Sequence, residues 1–172
     1  EDFREEITKI NAVPVAGGVD VSDWQTRLHR ITAYPDTQET KAMMTNVCLP
    51  ALTDVADALR QKGLSVRVES VALDDEPSLV QHMLTVDYKD EYNFVYGIVP
   101  VKYPVPERPT VDDGQEFYYR LETYLFEGLQ GNDLSGFNSE QVINDVLDKY
   151  ERHRAFLHLN RETPGNRPVF PE

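Results

Sequence analysis

One cysteine in 172 residues, Cys48, leaves no partner for an internal disulfide and suits a reducing compartment. Basic residues are scarce: 17 Lys and Arg stand against 30 Asp and Glu, a formal net charge of −13. Such a surface repels phosphate backbones, so no nucleic-acid partner is expected, and anionic lipid is repelled too unless a local basic patch faces it. Apolar residues never run to the roughly 20 needed to cross a bilayer. The opening residues, EDFREE, are acidic and lack a secretion-signal pattern, as expected of a cut made inside a larger protein. Four histidines are spread out, and His153 and His158, five apart, diverge by roughly 140° around a helix, so no metal site is expected. No phosphate loop, dinucleotide fingerprint or nucleophile elbow is present, and neither a cofactor nor an enzymatic activity is expected. Gly128-Leu129-Gln130-Gly131 spells the glycine spacing of an RNA clamp, but without basic neighbours it reads as an ordinary turn.

What is present is periodic. Asn138 to Leu159 reads as a capped amphipathic helix. Asn138 is an N-cap, Gln141 its capping-box partner, and Val142, Ile143, Val146, Leu147, Tyr150, His153 and Leu157 recur every three or four residues. Asp145–Lys149 and Asp148–Arg152 are acid-first i,i+4 pairs, expected on its wetter side. Thr37 to Lys62 carries a second stripe, Met44, Val47, Cys48, Ala51, Leu52, Val55, Ala56 and Leu59, closed by Gly63. Pro50 interrupts it, which predicts one kinked helix. A short helix is expected around Trp24 to His29, capped by Ser22 or Asp23 and ended before Pro35.

Four segments alternate or run apolar as strands do: Leu64–Leu73, Val80–Tyr88, Tyr92–Val101 and Phe117–Glu127. Tyr92–Val101 is apolar on both faces, which predicts a central strand whose pairing ends at Pro100 and Pro104. Gly128 to Phe137 is expected to be a loop. Short links favour an antiparallel order. The expected fold is α+β, a four-stranded, mainly antiparallel sheet with two long amphipathic helices packed on one face. The expected organisation is a linker or loosely docked arm over 1–21, a single domain over 22–162 and a flexible tail over 163–172. Two surfaces stand out. Arg27, His29 and Arg30, beside Trp24, form a basic patch on an acidic chain. Tyr92, Tyr96, Tyr118 and Tyr124, on the aromatic-rich strands, make a possible docking surface.

Three blocks together carry a resemblance. They are Trp24-Gln25-Thr26-Arg27-Leu28-His29-Arg30-Ile31 with Tyr34-Pro35 after it; Tyr118-Tyr119-Arg120-Leu121-Glu122 with a glycine-rich loop after it; and Val142-Ile143 through Asp145, Leu147-Asp148, Tyr150-Glu151 and His153 to Phe156-Leu157-His158. Across most of Ser22 to Leu159 the chain resembles the long cytoplasmic C-terminal region of BetT-type choline transporters, in the betaine/carnitine/choline transporter family. The resemblance implies a domain at the cytoplasmic face of the inner membrane that tunes choline or glycine betaine uptake to osmotic or ionic strength. Its implied partners are its own transmembrane transport domain, anionic lipid at the basic patch, and further copies in a trimeric transporter. Two other readings compete: a module sensing choline, betaine or a nucleotide messenger through its aromatic face, and an oligomerisation scaffold.

Overall fold

The computed structural model describes residues 23–89, 91–106 and 114–162; the expected arm at 1–21, Ser22 and the expected tail at 163–172 lie outside them. The described chain divides after Ala33. One helix, α1 (Asp23–Thr32), stands in the first unit, and everything from Tyr34 onward forms the second.

The second unit is an α+β layer pair. Its elements are α2 (Thr37–Met43), a π-helical turn (Met44–Cys48), α3 (Leu49–Gln61), β1 (Ser65–Ala72), β2 (Val80–Asp87), β3 (Phe94–Pro104), β4 (Phe117–Leu125), β5 (Gly128–Asp133) and α4 (Ser139–Glu162). The strands form one five-stranded sheet in the order β1-β2-β3-β4-β5, every neighbour antiparallel.

Three expectations need correction. First, β5 occupies residues read as a loop. Its glycine-rich, polar sequence has no alternation to betray a strand. It is placed instead by a two-residue turn at Phe126–Glu127, by Gly128 at φ 108°, and by the Asp133 carboxylate, whose Oδ1 accepts from Leu121 N at 3.0 Å and Ser135 N at 2.9 Å. Second, the one kinked helix expected over Thr37 to Lys62 is a run of α2, the π-helical turn and α3 that ends at Gln61. Leu49 donates its N–H to Met44 O, five residues back, directly before Pro50. The widened turn falls where the proline ring would meet the carbonyl of Asn46, and Pro50 then opens α3, where a missing N–H costs least. Third, β3 runs through Pro100. The ladder to β2 ends at Ile98, so from Val99 onward β3 is an edge on that side, and an edge tolerates proline.

Alternation sorts the sheet's side chains. Val66, Leu84, Val86, Phe94, Tyr96, Ile98 and Leu121 share one face and form a continuous core with Met44, Cys48, Leu52 and Val55 from the first helical run and Val142 and Val146 from α4. The capping box at the start of α4 is reciprocal: Gln141 N donates to Asn138 Oδ1 at 2.8 Å, and Asn138 N donates to Gln141 Oε1 at 3.0 Å. Burial pushes the Cys48 thiol up to about 12, which keeps it an inert packing group.

Candidate functional site

Helix α1 is exposed along an apolar ridge: Trp24, Leu28 and Ile31 are 61%, 51% and 66% accessible. At about 100° per residue these three fall within about 40° of one line, and Arg27 lies about 60° to its side. Arg27 and His29 are exposed and Arg30 is half-buried. His29 and Arg30 sit in the last turn, where the helix dipole favours positive charge. The residues of the expected basic patch thus share a short helix with an apolar strip that the patch alone did not suggest.

The four tyrosines of the expected docking surface do not come together. Tyr96 is fully buried in the core face, and its hydroxyl donates to Asp145 Oδ2 at 2.7 Å. Desolvation, with Asp145 beside it, drives its pKa up. Asp145 in turn accepts from Lys149 Nζ at 2.6 Å, and both side chains are about 15% exposed or less. This pair, expected on the wet side of the helix, is drawn inward because Tyr96 reaches it from the sheet. Tyr118 and Tyr124 point to the opposite face. Tyr118 meets Tyr34 edge-on at 5.0 Å and Tyr103 at 5.8 Å. Tyr124 packs over Gly97, where an added Cβ would come within 3.2 Å of the Tyr124 Cβ. The Glu122 carboxylate is buried on the same face and accepts from the Tyr103 hydroxyl at 3.0 Å.

Tyr92 alone reaches a cleft. It lies between the end of the sheet and α4, has a volume of about 510 Å³, and is lined by Tyr92, Phe94, Phe126, His153 and Phe156, with Glu127, Gln130, Lys149 and Arg152 around them. Tyr92 stands 6.5 Å from both Phe126 and Phe156. The α4 contributors Lys149, Arg152, His153 and Phe156 are spaced as one helical face. Phe126, expected inside the strand Phe117–Glu127, sits instead in the β4–β5 turn, which carries its ring to the cleft. His153 Nε2 donates to Tyr92 O at 3.0 Å, so its ring is held in one tautomer between Phe94, at 5.5 Å, and Tyr88, at 6.2 Å.

Two histidines are held neutral by burial. His153 and His82 both lie below the ordinary value of 6.5, desolvation being the larger cause in each. His82 Nδ1 accepts from Ser70 Oγ at 2.7 Å while the ring also bonds the backbone of Met44. A depressed histidine pKa means that the unfolded chain takes up the proton first. The contribution to stability is therefore full above pH 6.5 and falls as pH drops through the lowered folded values. The urea midpoint is expected to decline on acidification below about pH 6.5, and the decline to be shallower in His153→Gln. A midpoint flat across that window contradicts the assignment.

Among the described residues no three His, Cys, Asp or Glu side chains cluster as metal ligands, and no helix is long and apolar enough to cross a membrane. No family model matches the chain. Curated relatives do. The chain is 48% identical over 173 residues to the osmo-dependent choline transporter BetT2 of Acinetobacter baylyi, covering all of this chain and 25% of the relative. It is 44% identical over 174 residues to the high-affinity choline transport protein of Escherichia coli, again over all of this chain and 26% of the relative. A glycine betaine transporter of Acinetobacter baylyi is 31% identical over 175 residues, covering 95% of this chain and 25% of that protein. The chain thus spans about a quarter of the length of the relatives it matches.

Proposed function

The chain belongs to the betaine/carnitine/choline transporter family, matching the C-terminal quarter of its BetT-type choline transporters, and on that premise we propose that it is their regulatory domain, tuning uptake to osmotic or ionic strength from the cytoplasmic face. Its partner in this reading is the transmembrane transport domain of the same polypeptide. The observation that carries the reading is α1: an exposed Trp24–Leu28–Ile31 ridge flanked by Arg27, on a chain whose net charge is −13. A ridge of this kind suits the boundary between headgroups and acyl chains, and its arginine favours anionic lipid.

The physical lever is screening. The Debye length falls from about 10 Å at 0.1 M salt to about 3 Å at 1 M. Rising internal ionic strength weakens both the attraction of Arg27 and Arg30 to lipid and the repulsion of the acidic body, while the apolar contact of Trp24 is unaffected. A change of a few kcal/mol between docked and undocked states is enough to invert their populations.

Trp24 is the chain's one tryptophan and reports on this contact directly. With vesicles containing anionic phosphatidylglycerol its emission is expected to shift to the blue. The shift should be absent with neutral phosphatidylcholine vesicles and smaller at about 1 M than at about 0.1 M salt. Emission that is insensitive to lipid charge removes the membrane from the proposal.

A further inference from the structure

The cleft beside α4 carries chemistry that the regulatory reading does not use. Phe94 closes its base, while Tyr92, Phe126 and Phe156 stay 39%, 58% and 40% exposed around its mouth. Three neighbouring exposed rings are costly on a soluble surface and mark a place where something binds. Aromatic faces attract organic cations, above all alkylated ammonium groups that are weakly hydrated. The charged lining has both signs. Glu127 is its carboxylate; Arg152 and Lys149 are its cations, and Lys149 is already committed to Asp145 at 2.6 Å. A simple organic cation would meet Arg152, and a simple organic anion would meet Glu127.

We propose that this cleft binds a zwitterion with a methylated ammonium at one end and a carboxylate at the other. The ammonium sits against Tyr92, Phe126 and Phe156 near Glu127, and the carboxylate pairs with Arg152. That ligand class uses the rings and both charges at once. A volume of about 510 Å³ exceeds a small solute of this kind, so the ligand keeps part of its water and binds weakly, in the millimolar range. The site is a property of this chain alone, so its test stands apart from the transport reading.

The test is a nuclear magnetic resonance titration of the 172-residue chain with glycine betaine, followed at the ring resonances of Phe126, Phe156 and His153. Saturable shifts with a millimolar Kd are expected. Choline, which lacks the carboxylate, should bind about fivefold more weakly, and Arg152→Gln should abolish that difference. Glu127→Gln and Phe126→Ala should each weaken glycine betaine about fivefold; both side chains are exposed, so neither substitution disturbs the core. Shifts that rise linearly without saturating, or a Kd unchanged in both Arg152→Gln and Glu127→Gln, overturn the proposal.

Discussion

Tyr96→Ala is expected to cost about 3–5 kcal/mol of folding stability, the range for emptying a large aromatic site in a core. Tyr96 is fully buried in the first half of the middle strand. Its ring packs in the layer between the sheet and the helices, and its hydroxyl is the sheet's hydrogen bond to Asp145 of α4. In a domain of this size each kcal/mol moves the thermal midpoint by about 2–4 °C, so a fall of about 10 °C is expected. Tyr96→Phe keeps the packing and removes one partner from Asp145, at a cost of about 1–3 kcal/mol. Phe126→Ala, at an exposed ring, should stay within about 1 kcal/mol. Thermal melts of the three variants separate a core ring from a surface one; a Tyr96→Ala protein as stable as Phe126→Ala contradicts the placement.

The second large effect is functional. Neutralising Arg27 and Arg30 together, in the full-length transporter, is expected to shift the osmolality at which uptake switches on while leaving the maximal rate intact. Each basic residue near an anionic surface is worth about 1 kcal/mol, so removing two changes the docking equilibrium by about 30-fold. Ala substitution of Trp24 should act in the same direction through the apolar contact. An unchanged threshold with normal expression takes this patch out of the mechanism.

The periodic parts of the fold were legible because burial imposes period. The α4 stripe and its capping box, the α3 stripe, and the alternation of β1, β2 and β4 all follow from which side chains leave water. β5 was not legible: Gly128, Gln130, Gly131 and Asn132 have neither alternation nor apolar content, and the strand exists because a turn and the Asp133 carboxylate lay it against β4. The π turn before Pro50 was equally hidden, since the apolar stripe passes through it without a change of phase. For the sites, sequence named Trp24 with the basic residues of α1 but not Leu28 and Ile31, whose place beside Trp24 on an exposed ridge depends on burial that a ten-residue helix does not reveal. It named aromatic positions by their abundance on strands and so grouped Tyr96, Tyr118 and Tyr124 with Tyr92, although the β3–β4 register sends Tyr96 to one face and Tyr118 and Tyr124 to the other. The cleft draws on a loop, a turn and the second half of a helix, and no local pattern joins those three.

The central claim is that this segment regulates transport without performing it. Uptake of labelled choline into proteoliposomes, by the full-length transporter with and without this segment across an osmolality series, tests that claim most directly. The account predicts that deletion flattens the osmotic response while basal uptake persists. A response of unchanged threshold and amplitude after deletion would contradict it.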